Sequence, residues 1–255
     1  MSIKPNGLER FSLEGRVVLI TGARRGLGLE MARGMAAAGA RVGINGRDAR
    51  TAEAAAAGIP NAFAAPFDVT DVAAASAAID ALVARHGRLD CLVNNAAVRD
   101  RRAFRDIAGG DLRRLLEINL VAAYEVSRLA AHHMERQGGG RLIFISSMVG
   151  AQSFQGDPAY TSSKGALSAL MRALAVELGP KGITANAIAP GFFLTDVNAA
   201  FFESPVAAEL GRRIPLRRWG RPEELVGAAI FLASDAASYV NGHVLTVDAG
   251  LSVSL

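Results

Sequence analysis

A glycine-rich turn between an apolar run and a helical stretch is the feature that most limits how this chain can fold. Residues 17–20 read Val-Val-Leu-Ile, and residues 21–28 read Thr-Gly-Ala-Arg-Arg-Gly-Leu-Gly. Strand, glycine-rich turn and helix, in that order, are typical of a dinucleotide site. Glycines let the backbone approach a pyrophosphate, and the helix N-terminus offers free N–H groups. A tight turn without a ligand is the alternative, and the flanking pattern disfavours it.

Short apolar runs alternate with alanine-rich segments along the rest of the chain. We predict strands at 17–20, 41–44, 62–65, 91–93, 142–145, 184–188 and 244–247, and helices that include 71–85, 112–135 and 159–178. Strands that alternate with helices indicate a parallel sheet covered on both faces. The predicted fold is therefore α/β, with a single Rossmann-type doubly wound parallel sheet flanked by helices. Ligands of such sheets lie outside the carboxyl ends of the strands.

The length of 255 residues fits one domain spanning 1–255, with residues 1–12 as a loose polar N-terminal arm. The alternation breaks at 192–216, which is rich in Phe, Ala and Pro. We interpret this segment as a small lid made of short helices. An ordinary crossover connection is the alternative.

Composition excludes several classes of protein. The net charge is +4, but the basic residues are scattered among acids, which gives no reason to expect nucleic-acid binding. Neither a signal-peptide pattern nor a long apolar stretch occurs, so we expect a cytoplasmic protein without a membrane partner. The single cysteine, Cys91, lies in an apolar run and is predicted to be a buried inert thiol.

Tyr160 and Lys164 stand out because lysine is rare: the chain has 25 arginines and three lysines. Residues four apart lie on the same face of a helix. An ammonium beside a phenol favours the phenolate and lowers its pKa. A chance surface pair is the alternative, and Tyr-x-x-x-Lys alone is a weak motif. The neighbouring motifs decide between the two.

Those motifs are Thr21-Gly-x-x-x-Gly-x-Gly28, Asp68-Val69, Asn94-Asn95-Ala96-Ala97, Asn119, Ser147, Tyr160-x-x-x-Lys164 and Pro190-Gly191-x-x-x-Thr195. In this order they resemble the short-chain dehydrogenase/reductase family over about residues 13–255. Ala97 departs from the family, which usually has Gly there. The extra methyl group is expected to shift the loop slightly without abolishing cofactor binding.

The resemblance implies a catalytic group of Asn119, Ser147, Tyr160 and Lys164. Tyr160 would be the general base in alcohol oxidation and the general acid in ketone reduction. Lys164 would lower the Tyr160 pKa and hold the nicotinamide ribose, and Asn119 would order a water that relays protons. Ser147 would hydrogen-bond the substrate oxygen, and Ser146 is its rival for that role. The histidines lack ligand-like spacing, so no metal is expected.

The cofactor is expected to be NADP rather than NAD. Arg47 follows the second predicted strand, and Arg25 lies in the glycine turn; two guanidiniums suit a 2′-phosphate. Asp48 is a competing signal for the ribose of NAD, although it can instead cap the next helix. The resemblance assigns Asp68 to the adenine amino group, and Thr195 with the Phe193 backbone to the carboxamide. The full expected set is Gly22, Arg24, Arg25, Gly26, Leu27, Gly28, Asn45, Arg47, Asp68, Val69, Asn95, Ala96, Tyr160, Lys164, Pro190, Gly191, Phe193 and Thr195.

The substrate is expected to be a small alcohol or ketone that meets Ser147, Tyr160 and an arginine of the loop after residue 97. Arg101 is the preferred partner for a carboxylate, with Arg99 and Arg102 less favoured. Several stretches, among them 11–16, 44–48 and 190–196, most resemble the gluconate 5-dehydrogenase group, which points to a sugar acid. The 3-oxoacyl-acyl-carrier-protein reductases are the alternative. A non-enzymatic cofactor-binding scaffold is disfavoured because all four catalytic positions are intact.

The resemblance also implies a homo-oligomer, a dimer or a tetramer. Family members build one interface from the helices predicted at 112–135 and 159–178. The C-terminal residues 244–255 often complete a second one.

Overall fold

The computed structural model describes residues 7–153, 157–196 and 198–254. Three parts of the expectations above lie outside the described residues: positions 1–6 of the arm, Val197 of the lid, and Leu255 at the end of the chain.

Strands and helices alternate from the first strand to the last. The strands are β1 (Val17–Ile20), β2 (Arg41–Ile44), β3 (Ala62–Ala64), β4 (Cys91–Asn94), β5 (Gly140–Ile145), β6 (Ile183–Pro190) and β7 (Val244–Val247). Within the described residues, the helices are α1 (Gly26–Ala37), α2 (Ala49–Ala57), α3 (Val72–His86), α4 (Gly109–Leu116), α5 (Ala122–Arg136), α6 (Pro158–Leu178), α7 (Ala199–Phe202), α8 (Pro205–Arg213) and α9 (Val226–Ala233). Each of these helices is too short or too polar to span a bilayer.

The strands form one parallel sheet in the order β3-β2-β1-β4-β5-β6-β7. The chain winds outward from β1 to β3, then returns so that β4 lies beside β1. In the register, Val18 pairs with Val42 on one side and with Cys91 on the other. The reversal between β1 and β4 creates the crevice in which doubly wound sheets bind ligands. The predicted fold class is confirmed.

Two hydrophobic cores explain why the strands are continuous apolar runs. Val18 and Ile20 point to the face covered by α1, α2 and α9, whereas Val17 and Leu19 point to the face covered by α3, α5 and α6. A strand that is buried on both faces has no polar alternation. Cys91 is fully buried in the first core, where burial raises the pKa of its thiol to about 12; the predicted burial is confirmed, and its inertness stays a prediction.

The structure differs from the sequence predictions in the helix at 112–135 and in the arm, and it agrees on the short helices of the lid. The helix predicted at 112–135 is divided into α4 and α5 by a π-helical turn, Glu117–Val121, which contains Asn119. The lid is built around α7 and α8. The described part of the arm is not loose: Arg10 donates to the Asp235 carbonyl at 3.0 Å, and the Phe11 ring lies 6.2 Å from that of Phe231.

Candidate active site

A cleft of about 670 Å³ runs along the carboxyl edge of the sheet. Its walls are the turn after β1, the loops after β2 to β6, and the lid. Every residue expected to bind cofactor or substrate lines this cleft. Of the catalytic group, Ser147, Tyr160 and Lys164 also line it, whereas Asn119 lies behind its wall.

The glycine turn packs against the loop after β4 at backbone distance. Gly22 has a φ of +63°, and a Cβ there would lie 2.9 Å from the Ala96 Cα. A Cβ at Gly28 would lie 2.6 Å from the Asn95 Nδ2. Asn95 in turn donates from Nδ2 to the Thr21 carbonyl at 2.8 Å. Side chains cannot fit here, so the turn presents bare backbone and the start of α1 to the cleft.

Asn45 holds this turn from the other side. Its Oδ1 accepts from the Gly22 N–H at 3.1 Å, and its Nδ2 donates to the carbonyls of Ala65 and Phe67. Because its amide is occupied by three backbone groups, Asn45 shapes the cofactor site rather than offering it free hydrogen bonds. Sequence reasoning placed Asn45 at the site without showing this role.

Three exposed arginines stand where the turn meets the end of β2: Arg24, Arg25 and Arg47. The competing Asp48 lies outside the cleft lining, and its Oδ1 caps α2 by accepting from the Thr51 N–H at 2.8 Å. Asp48 is thus engaged away from a ribose. This corner of the cleft has the charge to hold a phosphate.

Asp68 lies across from Arg47. Hydrogen bonds from the Thr70 backbone lower the pKa of the Asp68 carboxyl, with further lowering from the Thr70 hydroxyl and from the charge of Arg47. One carboxylate oxygen is occupied by Thr70, at 3.0 Å from its N and 2.8 Å from its Oγ1. Val69 follows as a buried side chain of the cleft wall.

The two adjacent serines after β5 face opposite ways. Ser146 is 2% exposed, and its hydroxyl bonds to the Lys164 carbonyl at 3.1 Å and to Ser168 Oγ at 2.7 Å. Ser147 lines the cleft, where its Oγ accepts from the Val149 N–H at 3.4 Å and its hydroxyl acts to lower the pKa of the Tyr160 phenol. The geometry therefore favours Ser147 over Ser146 as the substrate-facing hydroxyl.

Tyr160 lies in the first turn of α6, after Pro158 at N1. The turn that carries Ser147 packs closely on this helix because Gly150 has no side chain; a Cβ there would lie 3.0 Å from the Lys164 carbonyl carbon. Burial raises the pKa of the Tyr160 phenol, while the charges of Arg99 and Arg101 and the Ser147 hydrogen bond act against this rise.

Lys164 lies one turn further along α6 and is 2% exposed. Its Nζ donates to the Ile145 carbonyl at 2.7 Å and lies 5.6 Å from the Tyr160 ring centroid. Burial lowers the pKa of the ammonium to about 8. The charges of Arg99 and Arg101 in the neighbouring loop act to lower the Tyr160 pKa, and the expected lowering by Lys164 stays a prediction.

Asn119 fastens two elements together. Its Oδ1 accepts from the Val98 N–H at 2.8 Å, and its Nδ2 donates to the Val98 carbonyl at 2.9 Å and to Ser163 Oγ at 3.1 Å. These bonds tie the loop after β4 to the π-helical turn and to α6. Both N–H groups are used, so the water relay expected of Asn119 stays a prediction.

The loop after β6 forms the end of the cleft beyond Tyr160. Pro190 and Gly191 leave the strand, and Phe193 forms a parallel bridge to Gly220. Asn198 then closes the loop, donating to the Phe193 carbonyl at 2.7 Å and accepting from the Thr195 N–H at 2.8 Å. The Thr195 hydroxyl faces the same cleft. Asn198 is a residue that the sequence motif did not single out.

The arginines of the loop after β4 contact different groups. Arg99 pairs with buried Asp157, and Arg102 pairs with Asp100 and Asp111 away from the cleft. Arg101 has no ion-pair partner among the described residues, and its guanidinium lies 4.2 Å from the Phe201 ring centroid.

The lid rests on one tryptophan. Trp219 is 5% exposed, and the ring centroids of Phe192, Phe201 and Phe202 lie between 5.1 and 6.0 Å from its own. These rings give the Tyr160 end of the cleft an apolar wall, and Tyr160 packs against the same cluster. The Phe-rich composition of 192–216 was the signal for this wall.

Metal chemistry finds no support in the donor pattern. Among the described residues, no three His, Cys, Asp or Glu side chains converge as a metal site would require. His133 instead contacts Asp80 at 2.8 Å on the surface.

A half-buried tyrosine beside a buried lysine, at the end of a cleft that starts at a glycine turn, is typical of oxidoreductases that move a proton through a phenol. Comparison with known proteins agrees with this class. The family model described as enoyl-(acyl carrier protein) reductase matches residues 22–252.

Full-length relatives narrow the class. Gluconate 5-dehydrogenase from Gluconobacter oxydans is 39% identical over 250 residues, covering 96% of this chain and 98% of that protein. The 5-keto-D-gluconate 5-reductase of Escherichia coli K12 is 38% identical with the same coverage. The crystal structure of a gluconate 5-dehydrogenase from Burkholderia cenocepacia in complex with NADP and tartrate is 39% identical, with a TM-score of 0.94 over 98% of this chain and 100% of that one. The chain belongs to the short-chain dehydrogenase/reductase family.

The opposite orientation of the two serines yields a paired test. Ser147→Ala should lower kcat/KM by about 10²–10³-fold, because it removes a hydrogen bond to the reacting oxygen. Ser146→Ala should keep activity within a few-fold and lower the free energy of unfolding by about 1 kcal/mol, because its hydroxyl only joins β5 to α6. Steady-state kinetics and urea denaturation of both variants measure these effects. Greater loss of activity in Ser146→Ala would reverse the assignment.

Proposed function

We propose that this protein is an NADP-dependent oxidoreductase that interconverts a secondary alcohol and a ketone of a sugar acid, as a gluconate 5-dehydrogenase does. The observation that carries the proposal is Arg101, an arginine with no ion-pair partner among the described residues, beside the Tyr160 end of the cleft. A second support is the near full-length similarity to enzymes named for gluconate and 5-ketogluconate.

The residues of the cleft fit a nicotinamide dinucleotide. The glycine turn offers backbone where a Cβ would collide, and the start of α1 adds N–H groups for a pyrophosphate. Asp68 and Val69 would meet the adenine, Lys164 the nicotinamide ribose, and Thr195 with the Phe193 backbone the carboxamide. When bound, this cofactor supplies hydride exchange with the substrate carbon.

Proton transfer then falls to the protein. In alcohol oxidation, Tyr160 as phenolate takes the hydroxyl proton while Ser147 hydrogen-bonds the same oxygen. In ketone reduction, the neutral phenol returns the proton. The charges of Arg99 and Arg101 lower the phenol's pKa toward the working pH, where a general acid or base is most effective, and so act against the rise that burial causes. Lys164, with a pKa of about 8, can pass a proton onward near neutrality.

Cofactor preference follows from the charges at the ribose corner. Arg47 and Arg25 are exposed and line the cleft, whereas Asp48 is engaged in capping α2. Two guanidiniums favour a 2′-phosphate, whereas Asp48 does not line the cleft and caps α2 with one carboxylate oxygen.

Arg47→Ala should therefore reduce the preference for NADP(H) over NAD(H) by about 10–100-fold, the worth of one charge-assisted hydrogen bond. The turnover rate at saturating NADP should change little. Comparing kcat/KM for both cofactors measures the effect. Arg50→Ala is the matched control, since Arg50 is exposed on α2 outside the cleft lining. Equal use of both cofactors by the unaltered enzyme would reject the NADP assignment.

Substrate class is tested at Arg101. Arg101→Ala should raise KM for gluconate by about 10–100-fold, because a charge-assisted pair with the carboxylate is lost. Turnover of a neutral polyol should change by no more than a few-fold. Arg102→Ala is the control, since Arg102 is paired with Asp100 and Asp111.

The alternative substrate is an acyl thioester, because the matched family model is described as enoyl-(acyl carrier protein) reductase. A screen of gluconate, 5-ketogluconate, other sugar acids and acetoacetyl thioesters with both cofactors separates the two. Reduction of the thioester without turnover of any sugar acid would replace the sugar-acid proposal.

We also propose a homo-oligomer, a dimer or a tetramer, assembled through α5 and α6. Support comes from apolar side chains exposed beside these helices: Val121 is 40% exposed, Tyr124 44% and Val176 80%. Such patches mark association surfaces more often than free surface. Light scattering should give a multiple of 26.6 kDa. A monomeric mass at micromolar concentration would reject this proposal.

We further propose that residues 1–255 fold as one unit that works in the cytoplasm. A single cooperative unfolding transition and recovery of activity in the cytosolic fraction are the corresponding observations.

A further inference from the structure

Arg99 crosses from the loop after β4 to the first turn of α6. Its Nε donates to Asp157 Oδ1 at 3.1 Å, and its Nη2 donates to Asp157 Oδ2. Asp157 is 4% exposed. The same guanidinium lies over the Tyr160 ring, with its central carbon 4.9 Å from the ring centroid. A buried carboxylate thus holds a cation against the phenol that transfers the proton.

The polar and charged groups around Tyr160 are few and come from three elements. Arg99 and Arg101 face it from the loop after β4, Lys164 from α6 itself, and Ser147 offers an uncharged hydroxyl from the turn after β5. On α4 and the π-helical turn, Arg114 and Glu117 line the same cleft without shifting the phenol's pKa.

Of these cations, Arg99 has the best-defined position. Arg101 rests on Phe201 in the lid, and the Lys164 ammonium points to the Ile145 carbonyl. Arg99 is bound through one edge of its fork, formed by Nε and Nη2, so it needs no substrate to place it. Because that edge is taken by Asp157, Arg101 stays the preferred partner for the substrate carboxylate.

We propose that Arg99 is a positioning residue for proton transfer: Asp157 holds its guanidinium over Tyr160, and this fixed positive charge stabilises the phenolate. The proposal rests on the proposed oxidoreductase function. In oxidation, the substrate hydroxyl proton moves to the Tyr160 oxygen as the hydride leaves for NADP⁺. In reduction, the phenol proton moves to the ketone oxygen as NADPH gives its hydride. Arg99 exchanges neither proton nor electrons.

Removal of the charge should displace the pH dependence of the reaction. Oxidation needs the phenolate, so kcat/KM rises with pH through the Tyr160 pKa. Arg99→Met destabilises the phenolate and should move this rise to higher pH by about one unit, as expected for loss of a unit charge near a partly buried group. In reduction, the fall of activity at high pH should move upward by the same amount.

Two further variants separate charge from structure. Arg99→Lys keeps the charge but loses the fork, so its pH profile should return close to that of the unaltered enzyme even if KM rises. Arg102→Met removes an arginine of the same loop that is paired with Asp100 and Asp111 outside the cleft, and its profile should not move. Equal shifts in Arg99→Met and Arg99→Lys would overturn the proposal, because the fork rather than the charge would then act.

A titration of the Tyr160 phenol without substrate tests the role of Arg99 separately from the proposed sugar-acid activity. The chain has three tyrosines, so the difference in ultraviolet phenolate absorbance between each protein and its Tyr160→Phe counterpart reports Tyr160 alone. With oxidised NADP bound, Arg99→Met should raise the pH of this transition by about one unit. An unmoved transition would overturn the role of Arg99. A moved transition in a protein that ignores gluconate would keep that role and reject the sugar-acid assignment.

Discussion

The backbone contact between the glycine turn after β1 and the loop after β4 is the constraint on which the cleft depends. β1 and β4 are neighbours in the sheet but distant in sequence, and their loops meet where a Cβ at Gly22 would lie 2.9 Å from the Ala96 Cα. Asn45 and Asn95 hold that contact with side-chain amides, so the turn is rigid before any ligand arrives. Pre-organisation of this kind reduces the entropy that binding must supply.

The second constraint is electrostatic. Lys164 is buried beside Tyr160, and burial alone pushes the pKa of the ammonium down and that of the phenol up. Burial therefore disfavours the charged form of each group, which is the opposite of what proton abstraction requires. The charges of Arg99 and Arg101 counter this effect at the phenol, and Asp157 holds Arg99 in place. Two of the chain's many arginines, Arg99 and Arg101, thus act on the phenol of Tyr160.

Sequence reasoning predicted the features that depend on residues close together in the chain. Runs such as Val17–Ile20 predicted strands because burial on both faces leaves no polar alternation, and the glycine turn was found because close backbone approach demands glycine. The serine was narrowed to two adjacent residues, but only three-dimensional structure shows that Ser146 bonds to Ser168 while Ser147 meets Tyr160. Orientation at a strand end depends on how the next turn packs, and a pattern of residue types does not contain that.

Ion pairs between residues that are distant in sequence could not be predicted, because they too depend on how separate segments pack. Arg99 and Asp157 are 58 residues apart, and each is an ordinary charged residue in its own segment. Their pairing exists because β4 and β5 are adjacent parallel strands, so the loop after one and the helix after the other meet at the same edge. Motifs contain the residues that a family shares, whereas Arg99 and Asp157 lie outside the motifs and stabilise the phenolate of the shared tyrosine. The reacting groups of the site are therefore determined by short motifs. The stability of the Tyr160 phenolate is determined by contacts that only the sheet topology creates.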